Sequence, residues 1–156
     1  MSFRIDRAQL LQRQAFRRQL HTLGKAGDPA AILPAFAQLC RDYLEQGRLR
    51  LRTAYQAGAS GTQLVHGQRL LMDYLLEQIW RLLPRFSGQQ PAPDLALIAV
   101  GGYGRGELLP HSDVDLLFLV GNETVDPAAQ TFIEAFVTFL WDVRLEVGHS
   151  VRTIQD

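Results

Sequence analysis

The sequence predicts an α+β fold in which N-terminal helices precede a small mixed sheet. Three observations lead there. Residues up to about 86 carry apolar side chains at helical spacing. After Asp94 the pattern changes to short, continuous apolar runs, and a glycine-rich stretch joins the first two of them. The chain has 156 residues and 47% hydrophobic content, enough for one ordinary core. It divides into a helical region, residues 1–86, and a sheet-containing core, residues 87–156.

Ile5, Ala8, Leu11, Ala15 and Leu20 fall roughly a turn apart, so residues 3–20 are expected to form one helix. Gly24, Gly27 and Pro29 break it, and Asp28 is placed to cap a second helix reaching about residue 46. Pro34 belongs early in that helix or marks its start, and Gly47 is expected to end it. Gly58 to Gly61 reads as a turn, after which Thr62 caps a third helix to about Leu83, with Leu64, Leu71, Leu75, Ile79 and Leu82 on one side. Pro84 opens a loop. Leu95–Val100, Asp113–Val120 and Arg144–Val151 read as strands, with a helix from Pro127 to Trp141 before the third. Trp80 and Trp141 are expected in the core. No closing element follows before Asp156, so the sheet-containing core is expected to be cut short at its C-terminal end.

Composition excludes several functions. No apolar run is long enough to span a bilayer, and the first residues, M-S-F-R-I-D-R, lack the apolar centre of a signal peptide. A soluble, cytoplasmic protein without membrane association is the expectation. Cys40 is the single cysteine and cannot form an internal disulfide; it is expected to be inert packing. His21, His66, His111 and His149 show no transition-metal spacing. Residues 1–86 hold 13 of the 16 basic and 6 of the 16 acidic side chains, and the remainder of the chain has the opposite balance. The arginines are spread over helical stretches rather than interleaved with aromatics, so a nucleic-acid partner is not expected.

The chemistry concentrates in residues 101–120, G-G-Y-G-R-G-E-L-L-P-H-S-D-V-D-L-L-F-L-V. Strand side chains alternate between faces, so Asp113 and Asp115 aim together while Val114 and Leu116 aim into the core. Two adjacent carboxylates repel unless a cation offsets their charge. Mg²⁺ suits them, since it takes oxygen ligands and bridges carboxylates to substrate phosphates. Gly101 and Gly102 follow the first strand directly, where missing side chains let backbone amides approach a phosphate. Gly104 and Gly106 keep the turn permissive, and ten residues separate Gly102 from Asp113. Arg105 is placed either to meet a phosphate or to pair with Glu107. Ser112 reads as a hydrogen-bond donor beside the nucleotide and metal loop. Tyr103 can stack on a base or pack against the protein.

This unit resembles the signature of the DNA polymerase β-like nucleotidyltransferase superfamily: Gly, then Gly or Ser, a spacer, and Asp-apolar-Asp. Residues 101–117 and W-D-V-R-L-E-V-G-H-S-V-R-T, 141–153, are similar to the family of bifunctional uridylyltransferase/uridylyl-removing enzymes that modify the PII nitrogen-regulatory protein. The stretch L-M-D-Y-L-L-E-Q-I-W, 71–80, is also similar to that family. The resemblance implies a nucleotidyltransferase core and transfer of UMP from UTP to a tyrosine of PII, with release of pyrophosphate. Gly101 and Gly102 would line the triphosphate, and Asp113 and Asp115 would bind Mg²⁺. The superfamily usually adds a third carboxylate from a later strand. Glu146 is the candidate for that catalytic role, and a solvent-facing residue is the other reading of it. His149 and Arg152 lie in the similar stretch without an assigned role. The alternatives are adenylyl transfer by the same chemistry, a nucleotide-binding fragment without turnover, and a helical module that grips an acidic partner.

Overall fold

The computed structural model describes residues 4–25, 28–91 and 93–156. Gly27, one of the expected helix breakers, lies outside the described residues. Two helices, α1 (Arg7–Leu11) and α2 (Arg13–Leu23), stand where periodicity predicts one. The break falls at Gln12, whose backbone is left-handed with φ 46°. Interrupting a helix strips carbonyls of their intrahelical partners. Two side chains of α3 (Pro29–Gln56) satisfy them: the buried Tyr43 hydroxyl donates to the Leu11 carbonyl, and Arg50 Nε donates to the Leu10 carbonyl, both at 2.9 Å.

Helix α3 starts as expected, with the Asp28 carboxylate accepting the Ala30 N–H at 3.0 Å and Pro34 inside the helix. Gly47 does not end it. A β-carbon at Gly47 would lie 2.7 Å from Leu71 Cδ2 on α4 (Gly61–Ser87), and one at Gly67 would lie 2.6 Å from Leu51 Cδ2. Gly47 and Leu51 of α3 therefore interlock with Gly67 and Leu71 of α4. The helix-propensity cost of a glycine, about 1 kcal/mol, is offset by burying a leucine over it, about 1.5–3 kcal/mol. The helix ends instead near Gly58 (φ 100°), where Gly58 N–H donates to Tyr55 and Ala59 N–H to Ala54.

Ser60, not Thr62, caps α4. Its hydroxyl accepts the Gln63 N–H, and the Gln63 side chain accepts the Ser60 N–H at 2.8 Å, a reciprocal box. Pro84 lies inside the last turns rather than after them. The helix continues to Ser87, whose hydroxyl donates to the Leu83 carbonyl, and stops at Gly88 (φ 73°).

Three strands form one sheet in the order β1 (Leu95–Ala99), β2 (Val114–Val120), β3 (Val147–Thr153). Strand β1 runs antiparallel to β2, and β3 runs parallel to it. The turn α5 (Gly101–Gly104) links the first pair, and α6 (Pro127–Asp142) makes the crossover that a parallel pair requires. The chain is thus α+β, as expected. Val114, Leu116, Phe118 and Val120 are buried, while Asp115, Leu117 and Leu119 are half-buried on the other face. The buried face meets α4 and α6 through aromatic edges, with Trp80 and Phe136 ring centres 5.3 Å apart and Phe118 and Phe136 5.9 Å apart.

Trp141 is 56% exposed and not a core residue. Helix α6 buries Phe132, Phe136, Phe139 and Leu140, and the next position turns outward. The third strand also begins later than expected. Arg144 adopts φ 65°, with its N–H donating to Trp141 and the Leu145 N–H to Leu140, so residues 144–146 close the helix before β3 starts. Cys40 is fully buried, and burial pushes its thiol well above the usual range, which leaves it as packing. Among the described residues no helix is long and apolar enough to cross a membrane.

The capping box yields a direct test. Ser60→Ala is expected to lower stability by about 1 kcal/mol, whereas Thr62→Ala should stay within about 0.5 kcal/mol of the parent, both read by urea denaturation. A larger loss at Thr62 would place the cap where the sequence pattern first suggests it.

Candidate functional site

Alternation along β2 directs Asp115 away from the helices, and the β2–β3 register sets it opposite Gly148. A β-carbon at Gly148 would come within 2.6 Å of Asp115 Oδ1, and one at Gly101 within 2.6 Å of Asp115 Oδ2. The carboxylate therefore occupies a slot with a glycine on each side. Gly101 has φ +60°, a second reason for a residue without a β-carbon there. The Val100 N–H donates to the Asp115 carbonyl at 3.0 Å, which joins the end of β1 to the middle of the site.

Asp113 is exposed immediately before β2, and Glu146 is exposed immediately before β3. The Val114 N–H donates to the Glu146 carbonyl at 2.8 Å, so the two strand starts lie side by side. Neither Asp113 nor Asp115 has an ion pair or side-chain hydrogen bond among the described residues. Among those residues, no three His, Cys, Asp or Glu side chains gather closely enough to hold a metal ion. Glu146 is thus near the pair in sequence register but not clustered with it. The two aspartates supply the hard oxygen donors that Mg²⁺ takes, and their lack of any partner leaves their charge for a cation to offset. Oxygen donors of this kind fit the ion, Asp115 being held between two glycines and Asp113 being exposed.

The glycine turn is built tightly. Gly104 N–H donates to the Val100 carbonyl, Arg105 N–H to Gly101, and Glu107 N–H to Gly102. A β-carbon at Gly104 would stand 2.6 Å from the Ala99 carbonyl oxygen, a backbone atom that cannot yield. The Gly101 and Gly102 amides precede the first of these bonds. Arg105 pairs with Glu107, Nε to Oε2 at 3.0 Å, one of the two readings left open by the sequence. Both partners are about two-thirds exposed, and such a pair is worth at most about 1 kcal/mol. The Arg105 guanidinium nevertheless stays beside the turn, Nη2 being 3.9 Å from where a Gly102 β-carbon would be.

Tyr103 is buried, and its hydroxyl donates to Asp73 Oδ1 at 2.7 Å. Packing is therefore the reading the structure supports, and the ring is not exposed to a base. Burial, reinforced by the Asp73 carboxylate, pushes the Tyr103 hydroxyl far above the usual range, so it remains a donor. Ser112 is half-buried and lines a small cavity of about 100 Å³ with His111, Arg144 and Glu146. His111 and Arg144 both have left-handed backbones on the walls of that cavity. His149 is exposed, with its ring 6.3 Å from that of Phe118, and Arg152 sits opposite Leu119. Two residues of this neighbourhood carry no role in the sequence reading, Gly148 and Asp73. Gly148 gives only a weak signal, a glycine inside an expected strand.

Gly148→Ala should separate site from scaffold. The substitution favours the strand backbone but drives a methyl group into Asp115 Oδ1. Mn²⁺ affinity, followed by water proton relaxation, is expected to fall about 10–100-fold, as when the support of a metal ligand is disturbed. The thermal midpoint should hold. Unchanged affinity would show that Asp115 does not need its slot.

The family described as "Putative nucleotidyltransferase DUF294" matches residues 45–148. A bifunctional uridylyltransferase/uridylyl-removing enzyme of Aromatoleum aromaticum is 42% identical over 127 residues, 81% of this chain and 14% of the relative. Those of Novosphingobium aromaticivorans and Photobacterium profundum are 40% and 45% identical over 79% and 74% of this chain. The chain spans 13–14% of the length of these curated relatives. No solved structure matches it. The matched residues include the glycine turn, both aspartates and Gly148, and the chain belongs to this nucleotidyltransferase family.

Proposed function

We propose that the Gly101–Gly102 turn and the Asp113–Asp115 pair bind a nucleoside triphosphate with Mg²⁺, and that the chain serves uridylyl transfer to the PII regulatory protein. The observation that carries the reading is the unpaired Asp115 carboxylate fixed between Gly101 and Gly148. A cation is the natural partner for a carboxylate so placed, and a triphosphate is the natural partner for the cation and the adjoining glycine amides. The choice of UTP rests on the name shared by the relatives, uridylyltransferase.

In this reading a tyrosine hydroxyl of PII attacks the α-phosphorus of UTP. The new oxygen–phosphorus bond forms as the bond to the pyrophosphate oxygen breaks, and the hydroxyl proton leaves to solvent or a base. Asp113 and Asp115 would hold Mg²⁺, which would supply stabilisation of the charge that develops during the transfer. The chain's own part is positional. The glycine amides and Arg105 orient the phosphates, Ser112 donates beside them, and Asp115 fixes the depth at which they sit. Glu146 is the proposed third carboxylate. A second reading, nucleotide binding without turnover by these residues alone, is favoured by the absence of a three-carboxylate cluster among the described residues.

Transfer of label from [α-³²P]UTP to purified PII in the presence of Mg²⁺ tests both readings. This chain and a full-length relative are compared, each also as the Asp113→Asn, Asp115→Asn double variant. Label on PII from the parent proteins and none from the variants is the expected result. Label from the relative alone, with retained UTP binding by this chain, selects the second reading. Label surviving in the variants, or preferential use of ATP, contradicts the proposal.

A further inference from the structure

We propose that Tyr103 and Asp73 form a positioning pair that sets the height of the phosphate-facing glycine turn above Asp115. The inference rests on the nucleotide-binding reading of the site and goes beyond it by assigning a task to a residue in the helical part of the chain.

Of residues 101–106, four are glycines, and glycines give a segment no side chain with which to grip its surroundings. The two remaining side chains are those of Tyr103 and Arg105. Arg105 is exposed and pairs locally with Glu107, so it ties the turn only to its own continuation. Tyr103 is 5% exposed, and its hydroxyl reaches out of the sheet-containing part to Asp73 on α4. It is the one side-chain anchor of the turn to the helical frame among the described residues.

The anchor transmits directly to the site. Gly104 is pressed on the Ala99 carbonyl, and the bonds from Gly104 to Val100 and from Arg105 to Gly101 make the turn a stiff unit. Gly101 in turn lies against Asp115 Oδ2. A shift of the Tyr103 ring therefore moves the Gly101 and Gly102 amides relative to the metal-facing carboxylate. The hydroxyl cannot simply be left alone. A buried donor without an acceptor costs about 1–3 kcal/mol, and its proton is held firmly by burial and by Asp73. Arg69 of the same helix lies close beside the end of the turn, its Cδ 3.3 Å from where a Gly106 β-carbon would stand.

Asp73 is exposed, so its replacement removes the acceptor without opening the core. Affinity for UTP with Mg²⁺ is measured by calorimetry for the parent chain, Tyr103→Phe, Asp73→Ala, their combination, and Asp73→Asn, which keeps an acceptor oxygen. Each single loss should weaken binding about five- to tenfold, the scale of one hydrogen bond. The combination should be no weaker than the weaker single variant, and Asp73→Asn should remain near the parent. Amide exchange at residues 101–106 should quicken in Asp73→Ala while the thermal midpoint stays within a few degrees of the parent. Should Tyr103→Phe fail to fold, Asp73→Ala against Asp73→Asn decides the matter. A parent that binds while Asp73→Ala binds equally well, even with a lowered thermal midpoint, overturns the positioning role alone. A parent that binds no UTP overturns the reading of the site and this inference with it.

Discussion

A carboxylate on the middle strand of a three-stranded sheet normally needs a partner, and Asp115 has none among the described residues. What it has is space: Gly101 on one side and Gly148 on the other. That space exists only in one register of β2 against β3. A slip of one residue would bring Val147 or His149 opposite Asp115 and would also turn Leu116 and Phe118 out of the core. The packing of the hydrophobic face and the opening of the acidic slot are therefore set by the same pairing.

Helix α4 carries the second half of the arrangement. It locks to α3 through the reciprocal fit of Gly47, Leu51, Gly67 and Leu71, meets the sheet through Trp80, and holds the glycine turn through Asp73. Because these contacts lie along one continuous helix, the turn and the strand bearing Asp115 are referenced to the same rigid element. A turn composed mostly of glycine would otherwise be the most mobile part of the site.

The fold class, the order of elements and the alternation of β2 were legible in the sequence, because period and composition report them directly. Several features depended instead on what lay across an interface. Gly47 reads as a helix stop, yet its missing side chain accommodates Leu71. The break at Gln12 is stabilised by Tyr43 and Arg50, which lie far along the chain. Trp141 looks like core by composition and is turned outward by one helical step. At the site, Asp113, Asp115, Gly101 and Gly102 stand out by spacing alone. Gly148 and Asp73 do not, since their importance comes from a parallel strand register and a tertiary hydrogen bond that local pattern cannot encode. Glu146 stands just before β3, beside the start of β2, but the clustering expected of a third carboxylate is not formed among the described residues.

The most direct test of the central claim is a crystal structure of the chain grown with MnCl₂ and UTP, with anomalous data collected above the manganese absorption edge. A peak bonded to the carboxylates of Asp115 and Asp113, with phosphate density along Gly101 and Gly102, is the predicted result. Ordered UTP with manganese bound elsewhere, or an empty slot between Gly101 and Gly148, would contradict the account.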